Sequence, residues 1–170
     1  GMTARRGVGL ITTPAELAIS AQAVAELADA IESAAADAVI VSAFGDPGLD
    51  LLRPRLSCPV VGIAEASMRE ASAGGRTFAV ATPTPELVSS ITARANIYGH
   101  ADLFRGVFLT RGDAHALMND QHALEDALAS ACARAFDEGG AQAVIIGGGP
   151  LAKAASTIRR TLGREIIEPI

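Results

Sequence analysis

Short apolar runs alternate with amphipathic segments along the whole chain. Apolar runs bounded by turn residues are typical of buried strands, and apolar positions three and four residues apart are typical of helices packed on one face. Two runs, Ala38–Ser42 and Ala143–Ile146, are apolar on both faces, as expected of parallel strands covered by helices. The pattern therefore predicts an α/β fold with parallel sheets flanked by helices.

The predicted strands and helices alternate from one end of the chain to the other. Strands are expected at Gly7–Thr12, Ala38–Ser42, Pro59–Ile63, Thr77–Ala81, Gly106–Thr110, Ala143–Ile146 and Glu165–Glu168. Helices are expected after Thr13, at Gly48–Leu56, at Glu65–Ala73, from Thr84 to about Tyr98, at Asp120–Glu138 and at Leu151–Leu162.

The first helix has a strong start signal in the sequence. Thr13 is placed as the N-cap, Pro14 at the first helical position, and Glu16 completes a Thr-x-x-Glu capping box. The apolar spacing that follows predicts one long helix. Its buried stripe is expected to consist of Leu17, Val24, Leu27 and Ile31.

Two glycine-rich turns are candidates for a ligand site. The segments DAVIVSAFGDPGL and QAVIIGGGPLA both have the pattern of a strand, a glycine turn and a helix, and open α/β folds bind ligands outside the carboxyl ends of their strands. In the first turn, Asp46 is predicted to be the N-cap of the following helix, with Pro47 at its first position. Free backbone N–H groups at such helix starts can hold a carboxylate or imide oxygen.

The second turn leaves an alternative open. GGGPLA matches the dinucleotide-binding pattern G-x-G-x-x-A, and the acidic Glu168 lies 168 − 147 = 21 positions beyond Gly147. However, after the predicted strand that ends at Glu168, no strands remain to build the second half of a dinucleotide crevice. The same glycines also fit a turn that lets a helix pack closely on its strand, or a turn that lines an anion pocket.

Composition and charge narrow the class of protein. The chain has 170 residues, enough for one domain or two small lobes, and it carries a net charge of −5, 4% aromatic residues and no Trp. These values argue against nucleic-acid binding, which needs a basic surface and favours aromatic stacking. The two cysteines form no framework, the histidines have no metal-ligand spacing, and no membrane span or signal peptide is apparent. We therefore expect a cytoplasmic protein without a metal.

Four segments occur in a distinctive order and carry a family resemblance. They are DAVIVSAFGDPGLDLLR, PVVGIAEASMREAS, RTFAVATPTPEL and GGAQAVIIGGGPLAKAASTIRRTLGREIIEPI. Together they resemble the aspartate/glutamate/hydantoin racemase superfamily, most closely its hydantoin racemase branch, over almost the whole chain. The resemblance implies two pseudo-symmetric α/β lobes that face each other across the active site. We expect them at residues 1–76 and 77–170, with the chain end returning toward the first lobe.

The chemistry implied by the resemblance needs no cofactor but needs two cysteines. One thiolate removes the α-proton of the substrate, and the opposite thiol returns a proton to the other face. In this chain the two corresponding positions are Ala43 and Gly148, and Cys58 and Cys132 match neither of them. We therefore expect a racemase-like protein that binds a small carboxylate or hydantoin-like ligand without racemising it.

The expected ligand contacts follow from the same resemblance and from the glycine turns. They are Phe44, Gly45, Asp46, Thr82, Thr84, Gly147 and Gly149. A non-catalytic regulatory role stays open, as does an enzyme with substitute bases, for which Ser42, Asp46 and His100 are the candidates.

The ends of the chain also depart from the family pattern. Family members begin with a strand that carries an Asn-Pro-Asn-Thr-like turn, and nothing before Gly7 matches it. The first lobe is therefore expected to lack its N-terminal strand, and the family's last helix is also expected to be missing. Because an exposed strand edge invites pairing with another chain, we expect a homo-oligomer.

Overall fold

The computed structural model describes residues 1–148 and 151–169, except for the side chains at 115, 152 and 153. Its strands are β1 (Val39–Val41), β2 (Val60–Gly62), β3 (Phe78–Thr82), β4 (Phe104–Leu109), β5 (Ala143–Ile146) and β6 (Ile166–Ile167). Its α-helices are α1 (Pro14–Ala25), α2 (Ala28–Ser33), α3 (Leu49–Leu52), α4 (Ile63–Ala71), α5 (Val88–Ile97), α6 (Ala114–Met118), α7 (Gln121–Asp137) and α8 (Ala152–Leu162).

The strands form two separate parallel sheets. Strands β1 and β2 make the first sheet, and the second has the order β4-β3-β5-β6. In the second sheet β3 is central, with Phe78 paired to Phe104 of β4 and to Ala143 of β5. The predicted α/β class with parallel sheets and two lobes is confirmed, while the boundary at residue 76 stays a prediction.

Helices cover both faces of the second sheet. Helices α7 and α8 bury Leu128, Cys132 and Ile158 against one face, and helices α4 and α5 pack Met68 and Ile91 against the other. Each of these five side chains is at most 3% exposed. Helix α4 directly follows the first sheet in the chain but packs on the second, so it links the two sheets.

Residues 1–148 and 151–169 cover the first sheet on one face only. Val41 and Val60 belong to the core beneath helices α2 and α3, but Ile40, the middle residue of β1, is 69% exposed. The expectation that strands are covered on both faces is therefore right for β5, whose four residues are all buried, and wrong for β1. Alternate side chains of a strand point to opposite faces, so the open face is the one that carries Ile40.

The predicted strand Gly7–Thr12 is not a strand in the structure. The Glu16 carboxylate accepts hydrogen bonds from Thr12 N at 2.8 Å, Thr12 Oγ1 at 2.9 Å and Thr13 N at 2.9 Å. The capping box is thus formed as predicted, and it uses the backbone N–H of Thr12 that a sheet would need. Ile11 packs instead against the core of the second sheet.

The first helix is shorter than predicted. It stops after Ala25, where Leu27 N bonds to Val24 O in a tighter turn, and α2 begins at Ala28. Of the predicted stripe only Ile31 is buried, and Leu17, Val24 and Leu27 are half-buried. The buried face of α1 consists of small residues because α1 lies very close to the turn between β1 and α3. A Cβ on Gly48 of that turn would stand 2.7 Å from Ala21 O.

Two further points complete the fold. Helix α6, which Asp113 caps through Ala116 N, has no counterpart among the predicted elements, and the remaining boundaries shift by a few residues, as is usual for helix and strand ends. In the part of the chain that the structure describes, no helix is both long enough and apolar enough to cross a bilayer.

Candidate functional site

A cavity of about 250 Å³ lies between the two sheets, at the carboxyl ends of their strands. The segments that follow β1, β3 and β5 each form part of its wall, as expected for an open α/β fold. The described residues that line it are Val8–Thr12, Leu17, Ser42–Gly45, Thr82–Thr84, Leu87, Ser90, Ile91, Ala114, Met118, Gly147, Gly148 and Leu151.

Most of the predicted ligand contacts meet at this cavity. Phe44, Gly45, Thr82, Thr84 and Gly147 all line it. The two positions where the resemblance implied cysteines, Ala43 and Gly148, also line the cavity. Ala43 follows strand β1 of the first sheet, and Gly148 follows strand β5 of the second. Gly149 lies outside the described residues.

Asp46 does not line the cavity and does not cap its own helix. The N-cap of α3 is Gly48 in the left-handed conformation, so the predicted cap at Asp46 is wrong. Asp46 is fully buried, and its carboxylate accepts hydrogen bonds from Ala64 N and Glu65 N, both at 2.8 Å. These N–H groups are in the first turn of α4, which has no side-chain cap of its own. Asp46 therefore caps α4 across the fold.

The position of Asp46 accounts for Gly62, which precedes α4. A Cβ on Gly62 would stand 2.2–2.5 Å from the carboxyl atoms of Asp46. Only glycine leaves the space for this cap. The FGDPG and VVGIAE segments of the sequence are thus joined by one buried carboxylate.

A hydroxyl and a guanidinium complete the surroundings of Asp46. Tyr98, the residue that follows helix α5, donates its hydroxyl hydrogen to Asp46 Oδ2 at 2.7 Å. Arg94 of helix α5 donates to the backbone oxygens of Gly45 at 3.1 Å and of Asp46 at 3.4 Å. Burial raises the pKa of Asp46, although these donors favour its charged form. Burial and the hydrogen bond to Asp46 likewise raise the pKa of Tyr98.

The turn after β1, which lines the cavity, contains backbone donors without an acceptor. The N–H groups of Ala43, Phe44 and Gly45 meet no acceptor among residues 1–148 and 151–169. The Ala43 carbonyl accepts from Asp46 N at 3.1 Å, inside the turn. In a trans peptide the N–H points opposite to the C=O, so Phe44 N–H points out of the turn. Successive free N–H groups of this kind form an anion-binding concavity.

The opposite wall presents an oriented hydroxyl. Thr82 is fully buried, and its Oγ1 donates to the Gly147 carbonyl at 3.1 Å. Its one proton is then used, so the 2.8 Å contact between Thr82 Oγ1 and Thr84 Oγ1 must be donated by Thr84. With its proton committed, Thr84 Oγ1 offers only lone pairs to the cavity and acts there as an acceptor.

The part of the cavity wall that the structure describes carries no group suited to proton transfer. Among the described lining residues there is no Asp, Glu, His, Lys, Arg, Cys or Tyr. Of the three candidate substitute bases, Ser42 reaches the cavity and Asp46 does not. His100 lies in a different groove, with Asp50, Arg53, Glu65 and Arg69.

The two cysteines lie elsewhere in the fold. Cys132 is buried in the core of the second sheet, where burial raises the pKa of its thiol to about 12. Cys58 is half-buried before β2, at the strand end opposite the cavity.

Sequence reasoning missed the segment from Val8 to Thr12 as part of the site. It crosses the cavity as one wall, together with Leu17 of α1. The signal that could have revealed this is the capping box, because Glu16 takes up the donors of Thr12 and so prevents sheet pairing. Helix α6, which contributes Ala114 and Met118, gave a weaker signal, namely an Asp before a short apolar run.

The geometry does not favour a metal or a dinucleotide. In the described part of the chain, no three His, Cys, Asp or Glu side chains come together as a metal site would need. A cavity of about 250 Å³ is smaller than the roughly 300–1,000 Å³ of drug-sized ligand pockets, which suits a single small ring. Gly147 is also needed for packing, since a Cβ there would stand 2.6 Å from Val80 Cγ1.

Comparison with known proteins agrees with this architecture. A curated hydantoin racemase from Paenarthrobacter aurescens is 28% identical over 134 residues, which cover 79% of this chain and 57% of that protein. The chain thus spans a little over half the length of that relative. Allantoin racemase from Klebsiella pneumoniae superimposes with a TM-score of 0.88 at 28% identity, over 97% of this chain and 67% of that one.

A second solved structure and the family model complete the comparison. The allantoin racemase from Pseudomonas fluorescens superimposes with a TM-score of 0.87 at 25% identity, over 99% of this chain and 72% of that one. The family model described as Asp/Glu/Hydantoin racemase matches residues 1–170. The chain belongs to the Asp/Glu/hydantoin racemase family, in its hydantoin racemase branch.

Proposed function

We propose that this chain binds a small hydantoin-like ring or a small carboxylate in the cavity between its sheets and does not racemise it by the two-cysteine route. The carrying observation is a cavity with backbone donors on one wall, a hydroxyl acceptor on the other, and no titratable side chain among its described lining residues. Its relatives by sequence and structure are hydantoin and allantoin racemases.

The polar groups favour a neutral ring over an amino acid. The N–H groups of Ala43, Phe44 and Gly45 can hold the oxygen of a carboxylate or an imide. Thr84 Oγ1, as an acceptor, suits the N–H of a cyclic imide or ureide. No charged side chain of the described lining would pair with the ammonium and carboxylate of a free amino acid, and unpaired charges are costly to bury.

The absence of racemisation follows from proton accounting. Moving a proton from one face of a carbon to the other needs a base and an acid on opposite walls, each with a pKa near the working pH. Ala43 and Gly148 offer neither, and Ser42 offers a hydroxyl with no general base beside it among the lining residues. In addition, a Cβ on Gly148 would stand 2.9 Å from Leu151 Cδ1, so Leu151 fills the space of a second side chain.

Binding and turnover are tested separately. We expect 5-substituted hydantoins to raise the melting temperature of the protein and to bind in calorimetry, while the optical rotation of a single enantiomer stays constant. Thr84→Val, which keeps the shape but removes the acceptor, should weaken hydantoin binding. Ser89→Ala, on the exposed side of helix α5, is the matched control and should not.

Three outcomes would contradict the proposal. Enzyme-dependent loss of optical rotation would refute the loss of racemisation. Binding of NAD with no binding of hydantoins would favour the dinucleotide alternative. Failure of every hydantoin and small carboxylate to bind would refute the ligand class.

We also propose that the chain forms a homo-oligomer and resides in the cytoplasm, without binding nucleic acid. The open face of the first sheet, with Ile40 69% exposed, supports pairing with a second copy. The two free thiols suit a reducing compartment, and the net charge of −5 opposes nucleic-acid binding. Light scattering should give a mass above that of one chain for the unmodified protein. The substitution Ile40→Asp should lower this measured mass. The control Ile19→Asp, at a 53% exposed position on α1, should leave the mass unchanged.

A further inference from the structure

We propose that Arg94 is a positioning residue for the cavity, which it does not line, and that it acts by fixing the turn at residues 43–48. As far as ligand affinity is concerned, this inference rests on the proposed function. The positioning itself is a property of the free protein.

The contacts of Arg94 are directed at the carbonyls of this turn. Its side chain is only 16% exposed. Its Nε donates to Gly45 O at 3.1 Å, and its Nη2 approaches Asp46 O at 3.4 Å. Its Nη1 donates to Asp50 Oδ2 at 2.8 Å. One planar guanidinium thus bonds two successive peptide oxygens of the turn and a carboxylate just beyond it.

These contacts determine where the free N–H group of Phe44 points. Arg94 holds the Gly45 carbonyl toward helix α5, and Asp46 N holds the Ala43 carbonyl inside the turn. Because each peptide is planar and trans, fixing the Gly45 carbonyl fixes the direction of Asp46 N–H, and fixing the Ala43 carbonyl fixes the direction of Phe44 N–H. Arg94 therefore acts on the Phe44 donor through Asp46 N–H, which holds the Ala43 carbonyl. The Phe44 donor is thus oriented before a ligand arrives, and such pre-organisation favours binding.

The turn needs this support because its backbone is unusual. Asp46 has φ +52° and Gly45 has φ +102°, and a non-glycine residue keeps a positive φ only when its surroundings enforce it. Tyr98 holds the Asp46 carboxylate, while Arg94 holds the backbone. Helix α5 also contributes Ser90 and Ile91 to the cavity wall, so it links that wall to the turn.

The geometry of the Arg94 guanidinium makes it possible to distinguish a role in orienting the turn from a role in attracting an anionic ligand by charge. A lysine would keep the positive charge, but its single nitrogen cannot reproduce a fork that spans two carbonyls and a carboxylate. If Arg94 acted only by attracting an anionic ligand, lysine would serve equally well. If it acts by fixing the turn, lysine should fail.

The experiment combines a ligand-free and a ligand-bound measurement on Arg94→Lys, with Thr92→Val as the control. Thr92 lies on the same helix, and its hydroxyl bonds only to Val88 O of that helix. In the free protein we expect the amide NMR signals of Phe44 and Gly45 to shift in Arg94→Lys and to stay in place in Thr92→Val. We expect the affinity for a neutral hydantoin to fall at least tenfold in Arg94→Lys and to be unchanged in Thr92→Val.

Both measurements are made at a temperature where circular dichroism shows each variant to be folded, so that lost stability alone cannot change the affinity. Amide signals that do not shift in Arg94→Lys would overturn the inference, and so would an unchanged hydantoin affinity. If the amide signals shift but the unmodified protein binds no hydantoin, the proposed function fails while the positioning role stands.

Discussion

Replacement of Asp46 by alanine tests whether this buried carboxylate caps helix α4 across the fold. The substitution removes the acceptor of Ala64 N and Glu65 N, and losing an N-cap costs about 1 kcal/mol. It also leaves the hydroxyl of half-buried Tyr98 without its partner, on the side that faces the buried Asp46 position, and an unsatisfied donor inside a protein costs about 1–3 kcal/mol. Together these losses predict a decrease of about 3 kcal/mol in the free energy of unfolding.

The loss of stability predicted for Asp46→Ala can be compared with that for Asp50→Ala, which removes a single ion pair. Asp50 is 62% exposed and bonds only to Arg94, so Asp50→Ala should cost about 0–1 kcal/mol. For a chain of this size each kcal/mol lowers the melting temperature by about 2–4 °C. Asp46→Ala should therefore melt about 6–12 °C lower than the unmodified protein.

The assay is urea unfolding followed by far-ultraviolet circular dichroism, because the chain has no Trp. The double variant Asp46→Ala, Tyr98→Phe removes the orphaned hydroxyl and should be destabilised by less than the sum of the single variants. A loss in Asp46→Ala no larger than that in Asp50→Ala would refute the cap. Simple additivity in the double variant would refute the coupling to Tyr98.

Three further measurements follow from the titratable groups. Tyr98 is the one tyrosine of the chain, so the absorbance near 295 nm reports the ionisation of Tyr98 alone. We expect the pKa of Tyr98 to lie above its ordinary value of 10.0 and to move back toward that value in Asp46→Ala. Iodoacetamide should label half-buried Cys58 in the folded protein and Cys132 only after urea unfolding, and early labelling of Cys132 would contradict its burial. The Glu16 hydrogen bonds lower the pKa of its carboxyl below 4.5, so they stabilise the fold above that pH and are lost as the pH falls through the lower folded pKa. The difference in unfolding free energy between the unmodified protein and Glu16→Gln should thus shrink below pH 4.5, and a constant difference would speak against the bonds.

Sequence patterns predicted the second sheet well because its signals are local. The run Ala143–Ile146 is apolar at each position, and the observed strand has these same bounds. The helix predicted at Asp120–Glu138 corresponds to α7, and Asp120 is its observed N-cap. In both cases the residues that decide the structure adjoin the element that they define.

The errors arose where the deciding contact lies far away in the sequence. Asp46 satisfies every local rule for capping the helix that follows it, yet it caps α4, whose first bonded N–H is 18 residues further on. The available signal was the other partner: α4 begins after Gly62, a residue that cannot cap with a side chain. Likewise, Ile40 looks like a residue of a fully covered strand, but whether a helix covers a sheet face cannot be seen from the strand itself.

The structure explains why the segment FGDPG can be retained without a reactive group beside it. A side chain on Gly45 would approach Leu17 Cδ1 to 3.2 Å, and one on Gly48 would collide with helix α1. Asp46 holds the start of α4. Each of these requirements comes from packing or capping, and none depends on the side chain at position 43. The presence of the segment therefore indicates the fold and its cavity, and activity has to be argued from the groups that face the ligand.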